Sequence, residues 1–349
     1  MAEASTAGGA ARQEDAPIDG ILPGEHWAQA PEDSGHVDSL FEESLRSSTA
    51  SITSSILDYR TVEGRTYHSE RGNALYWGAN DADQLDTMDI THHNFTLGLD
   101  GKLYLSPLKD ENIKNVLDVG TGTGIWAIDF ADQHPSASII GTDISPEQSR
   151  WVPPNVRFEI EDCTDDWTFP PSTFDFIHMR FLVGSIDSWD RLLAQAFTAC
   201  APGGYVESVE PNPHIQSDDG SVKPTMALGQ WGKLFVTGGR KFGRSFELFE
   251  NNTVRKAMEK AGFVDIVVKD IKMPIGPWDK DPKKKEIGEF TRLAMFKDPE
   301  GYILFFASAL GWKKEEITVY GAHLRKELMD KSVHSFFTNR FVYGRKPEA

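Results

Sequence analysis

From Asn115 onward, short apolar runs alternate with longer stretches in which apolar residues return every three or four positions. Asn115–Val119, Ser138–Asp143, Val156–Ile160, Phe174–Arg180 and Gly204–Val209 are short and rich in β-branched or aromatic residues, so they read as strands. Ile125–Asp132 and Trp189–Ala201 carry helical spacing between them. Strands and helices in alternation predict a parallel sheet covered on both faces. Further on, a helical insertion covers about 222–239 and a helix follows over Glu250–Ala261. Val264–Lys272 reads as a strand, two helices fall within 283–330, and SFFTNRFVYGRK alternates as a last strand. The final two strands are expected to close the sheet as a hairpin-like pair.

Before Asn115 the pattern changes twice. Residues 58–114 read as a helical, aromatic-rich preface. Residues 1–57 are dominated by Ala, Ser, Gly, Pro and acids without apolar periodicity. Such a segment buries too little apolar area to offset chain entropy and is expected to be a disordered acidic tail, with a short amphipathic stretch at Val37–Phe41. The expected organisation is that tail followed by one domain over 58–349. Within it, 115–210 forms the cofactor-binding core and 211–349 supplies acceptor-side helices and the final strands.

Charge narrows the function. Of the formal net charge of −17, residues 1–58 contribute eleven acids against two arginines. An acidic chain lacks the Lys and Arg needed to displace counterions from a phosphate backbone, so direct nucleic-acid binding is not expected. The run Lys283-Lys284-Lys285 reads as a solvated helix start. Two cysteines make no disulfide framework. With no apolar leader and no membrane-length apolar run, an intracellular protein is expected, cytoplasmic or nuclear, with no membrane partner.

NVLDVGTGTGIWAIDF joins the first strand to the first helix through three alternating glycines, Gly120, Gly122 and Gly124. Counted from Gly122 it fits a dinucleotide fingerprint; counted from Gly120 it fits the D-x-G-x-G-x-G loop of S-adenosylmethionine (SAM) enzymes. Charge separates the two. Asp118, two residues before the first glycine, would repel a pyrophosphate, whereas SAM brings a cationic ammonium and a sulfonium. Asp143 ends the second strand where a carboxylate can accept from ribose hydroxyls. Asp162-Cys163 ends the third, where an acid suits an adenine amino group and the Cys163 backbone N–H suits a ring nitrogen. Three acids at three successive strand ends favour SAM.

These blocks, with FEIEDCTDDWTF, FDFIHMRFLVGSIDSWDRLLAQAF, CAPGGYVE, GPWDKDPKKKE and FVYGRKP, resemble the fungal LaeA-like methyltransferases over about residues 59–347. That family includes the velvet-associated regulator and many secondary-metabolism enzymes. The preface resembles theirs in Tyr67-His68, YWGAND and LDTMDITHH, although Ala79 stands where the family commonly has Pro. The resemblance implies a class I SAM-dependent methyltransferase fold: an α/β, Rossmann-like, seven-stranded sheet of order 3-2-1-4-5-7-6. It also implies a cofactor set of Tyr67, Asp118, Gly120, Thr121, Gly122, Gly124, Asp143, Ile144, Asp162, Cys163 and Met179. Within that set Tyr67 would cover the amino-acid end of SAM.

Methyl transfer from a sulfonium mainly needs alignment of donor and acceptor and exclusion of water. An oxygen, acidic-nitrogen or carbon acceptor often also needs a base, and a carboxylate acceptor a cationic partner. His178 and Arg180, at the end of the fourth strand, are the candidate catalytic residues: a base or orienter, and an anion anchor. Arg180 could instead pair with Asp162 or Glu161. Glu207 and Glu210 could line the acceptor site or lie at a solvated edge. His92-His93 face different ways on a helix and have no carboxylate at ligand spacing, so no metal is expected. The aromatics Trp231, Phe235, Phe242, Phe246, Phe290, Phe296, Tyr302, Phe305 and Phe306 suggest a lipophilic small-molecule acceptor, lodged among the preface, 222–242 and 283–330. Two outputs fit: methylation of a small secondary metabolite or its precursor at oxygen or carboxylate, or regulation through velvet-type protein partners.

Overall fold

The structure is a computed structural model and describes residues 20–28, 56–69, 75–149 and 151–348. The preface opens with a hairpin of β1 (Arg60–Val62) and β2 (Arg65–Tyr67), followed by helix α1 (Ala82–Gly98). The core continues with β3 (Asn115–Val119), α2 (Ile125–Gln133), β4 (Ser138–Asp143), β5 (Val156–Ile160), β6 (Phe174–Arg180), α3 (Trp189–Ala199) and β7 (Cys200–Pro211). A two-residue strand β8 (Gln216–Ser217), helices α4 (Ala227–Lys241) and α5 (Thr253–Ala261), and β9 (Val264–Pro274) come next. Helices α6 (Pro282–Lys297), α7 (Pro299–Ala309) and α8 (Lys314–Met329) lead into the last strand, β10 (Ser335–Arg345).

The sheet runs β5-β4-β3-β6-β7-β10, with β9 on the outer side of β10. This is the expected 3-2-1-4-5-7-6 order, and β8 adds a short eighth strand beside β10. The first five strands are parallel; β10 lies antiparallel between β7 and β9. Strand alternation splits the packing. Leu117, Val119, Ile177 and Met179 face the core shared with α3, α4, α5, α7 and α8. Val116, Ile139 and Phe176 face Trp126 and Phe130 of α2. Asp118 shares that second face, and its register partner on β6 is His178.

Three expectations change. The preface is not wholly helical: the Glu63-Gly64 turn has positive φ at both residues, which suits a two-residue hairpin and not a helix. Three helices, not two, occupy 282–329, because Asp298 and Pro299 end α6 and start α7 within one residue. The tail is not structureless throughout. Residues 20–28 lie on α4 and α8, with Trp27 buried edge-on against Tyr320 at 5.0 Å. The Leu22 N–H donates to Gln230 Oε1 at 2.8 Å, and Lys233 Nζ donates to the Gly20 carbonyl at 2.8 Å. The Val37–Phe41 segment lies outside the described residues.

Arg65 ties the hairpin to two helices. Its guanidinium donates to Asp81, the N-cap of α1, at 2.6 Å and to Asp298, the N-cap of α7, at 2.8 Å. These carboxylates hold it well above the usual arginine range even against the cost of burial. One side chain thus fixes where α1 and α7 begin, and both helices border the cavity described next.

Candidate active site

The glycine loop is shaped by backbone geometry that only glycine adopts cheaply. Gly120, Gly122 and Gly124 have φ of 68°, 57° and 81°. A Cβ on Gly120 would lie 2.5 Å from Leu182, and one on Gly124 would lie 2.4 Å from the Phe158 ring. Around Gly122 the space is more open, with Met88 Sδ at 3.6 Å. The loop is tied down by Thr121 N–H to the Thr142 carbonyl (2.9 Å) and Gly122 N–H to Asp143 Oδ2 (2.8 Å).

This loop borders a cavity of about 210 Å³. Asp118, Gly120, Thr121, Gly122, Asp143, Ile144, Asp162, Cys163, His178 and Arg180 all line it. Three expected residues do not. Gly124 backs onto Phe158 at the start of α2, and Met179 faces the opposite core because β6 alternates. Tyr67 is fully buried beside Phe305, with ring centres 6.0 Å apart. Tyr76 and Tyr302 reach the cavity instead.

Asp118 is buried and both its oxygens are engaged: Oδ2 accepts from Thr121 Oγ1 at 2.6 Å and Oδ1 from His178 Nδ1 at 2.7 Å. A carboxylate only accepts, so the proton sits on Nδ1 and the lone pair on Nε2. The imidazole stacks flat on Trp126, centroids 3.8 Å apart, and burial lowers its pKa, keeping it neutral near pH 7. Burial raises the Asp143 carboxyl to about 6, opposed by the N–H groups of Gly122, Ile144 and Ser145. Asp162 Oδ1 accepts from Thr164 N–H (2.8 Å) and Oγ1 (2.7 Å), while its Oδ2 is buried without a partner. Burial pushes the Cys163 thiol well above its usual range, so it is no nucleophile.

Arg180 pairs with neither Asp162 nor Glu161. Its Nη2 donates to His92 Nδ1 at 3.2 Å, and His92 Nε2 lies 2.9 Å from Asp129 Oδ2. His92 is therefore a buried link between the cavity and Asp129 on α2, whereas His93 packs on Phe290. No group of three or more His, Cys, Asp or Glu among the described residues could hold a metal ion.

Glu207 and Glu210 neither line the cavity nor lie in solvent; both are buried. Glu207 accepts from the Leu105 and Ser106 N–H groups and from Ser106 Oγ. Glu210 accepts from Leu182 and Val183 N–H at 3.3 and 2.8 Å. Those two residues follow Phe181, whose φ of 59° is costly for a bulky side chain, roughly 1–2 kcal/mol. Glu210 offsets that strain and sets Leu182 against Gly120.

The roof comes from the preface, part of the expected acceptor pocket, through Leu75, Tyr76, Trp77, Asn80, Gln84, Met88 and Thr91, none of which was among the expected site residues. Gln84, Met88 and Thr91 sit at i, i+4 and i+7, one face of α1, so their spacing was the available signal. Of the aromatics in 222–246, Trp231, Phe235 and Phe246 are buried core and Phe242 is exposed; among the described aromatics expected at the acceptor only Tyr302 touches the cavity.

The sheet order, the left-handed glycine loop and the strand-end acids define a class I methyltransferase fold. The family pattern described as a methyltransferase domain matches residues 90–268, just over half the chain. Methyltransferase pytC of Aspergillus terreus is 36% identical over 303 residues, 86% of this chain and 92% of that one. The probable methyltransferase tdiE of Emericella nidulans is 32% identical, over 79% of this chain and 87% of its own. The secondary metabolism regulator LAE1 of Cochliobolus heterostrophus is 31% identical, over 82% of this chain and 94% of its own. The chain belongs to this methyltransferase family, with SAM as its cofactor. No helix among the described residues is long and apolar enough to cross a membrane.

Proposed function

We infer that the protein methylates a small, largely apolar secondary metabolite or its precursor, at oxygen or at a carboxylate. What carries the reading is the convergence of Asp118, Asp143, Asp162 and the open Gly122 turn on one cavity. The buried, unpartnered Asp162 Oδ2 fits the cofactor, since an adenine amino group is the donor it lacks. Asp143 suits the ribose hydroxyls, and Cys163 N–H the adenine ring. SAM supplies an activated methyl group on sulfur; the chain aligns the acceptor, excludes water and, for a hydroxyl acceptor, takes up its proton. The neutral His178, its tautomer set by Asp118, is the base for that proton. Leu75, Trp77, Leu85, Met88, Leu182 and Ile186 give the cavity an apolar wall suited to a lipophilic acceptor.

Titration calorimetry tests the cofactor site: SAM should bind the wild type, and Asp143→Ala and Gly122→Val should each abolish binding. Unchanged affinity in both variants would sink the assignment. The similarity to LAE1 supports a second reading, a regulator acting through velvet-type partners. Metabolite profiling of a deletion strain separates them. One accumulating unmethylated precursor supports the enzyme; many pathways falling silent supports the regulator.

A further inference from the structure

SAM ends in an amino acid, so its site must meet a carboxylate and an ammonium on one carbon. Tyr67 is buried away from the cavity, and both Asp118 oxygens already bind within the protein. Other groups fit better. Arg180 is the one lysine or arginine among the described residues lining the cavity, and no described acid forms an ion pair with it. Its charge is held by His92, by the faces of Phe95 and Phe181 at 5.4 and 6.0 Å, and through space by Asp118 and Asp129. A buried cation without a direct counter-ion is costly, and a ligand carboxylate removes that cost.

The matching acceptor lies on α1. Gln84 lines the cavity and bonds the Tyr76 hydroxyl, and its Oε1 is buried without a partner. His92, two turns further along the same helix, steadies Arg180. We propose that Arg180, positioned by His92 and Asp129, binds the carboxylate of the cofactor's amino-acid end, and that Gln84 Oε1 accepts from its ammonium. This rests on the cofactor reading above.

The test is calorimetry on the full chain with S-adenosylhomocysteine and two truncated thioethers of adenosine. The aminopropyl thioether lacks the carboxylate and the carboxypropyl thioether lacks the ammonium. Arg180→Met should weaken S-adenosylhomocysteine and the carboxypropyl ligand about tenfold or more, the range of a charged hydrogen bond, and leave the aminopropyl ligand nearly unchanged. Arg180→Lys should recover part of the loss. Gln84→Leu should show the converse selectivity, and His92→Phe a weaker copy of the Arg180→Met pattern. Equal weakening of all three ligands by Arg180→Met, or of none, overturns the proposal, and wild-type binding that ignores the missing carboxylate does so without any mutant. Failure of S-adenosylhomocysteine to bind the wild type would instead overturn the cofactor reading.

Discussion

At the scale of single residues, Glu210 is the most exposed to experiment. Burial raises its carboxyl to about 8, and Glu207 to about 7, so the folded state favours their protonated forms. A folded pKa above the unfolded value means stability present below the unfolded carboxylate range and lost as pH rises through 7 to 8. His92 and His178 have the opposite sign: burial lowers them, so their contribution is present above the unfolded histidine value and lost as pH falls below it. Thermal unfolding should therefore show a maximum in mildly acidic buffer. Glu210→Gln keeps an acceptor for Leu182 and Val183 without a charge. It should flatten the decline between pH 6 and 8 by up to about 1.4 kcal/mol per pH unit; an unchanged slope would contradict the raised pKa. A matching prediction concerns His178. His178→Asn should leave S-adenosylhomocysteine affinity within about threefold and slow methylation of a hydroxyl acceptor by about a hundredfold or more, the usual worth of a general base.

At the scale of elements, strands were the most legible part of the sequence. Ser138–Asp143 and Phe174–Arg180 were bounded correctly because a parallel strand buried on both faces is a short, dense apolar run. The floor of the site could be read for the same reason, since its acids sit where those runs stop. The roof was less legible: α1 buries polar Gln84, Thr87, His92 and Asn94, so no apolar stripe announced its inward face. The partners of Arg180 and Glu210 depend on pairings across 88 and 27–28 residues, which no local pattern encodes. Trp27 was missed because one buried aromatic in a polar tail carries no periodicity. Trp27→Ala should cost about 3–5 kcal/mol of docking, the usual loss for a buried tryptophan. Limited proteolysis should then cut near residues 20–28 well before the rest of the chain. If the cleavage rate there is unchanged, the docking contributes nothing.

At the scale of the whole molecule, floor and roof belong to different stretches of chain. The shared family pattern begins at Ile90, inside α1, and ends in β9. A fragment cut to those limits would lack β10, the strand joining β7 to β9, and most of the cavity roof. Expressed alone, residues 90–268 should fail to unfold cooperatively and fail to retain S-adenosylhomocysteine, whereas 56–348 should do both. A cooperative melt from the short fragment would show that β10 is dispensable.

The clamp at Arg65 has a consequence for how such proteins diversify. By setting the start of α1 and α7 from outside the glycine loop, it lets roof positions such as Trp77 and Tyr302 change identity while the donor floor stays as it is. Substitution at a few roof positions can then change which acceptor fits, with the methyl-donor half of the site kept intact.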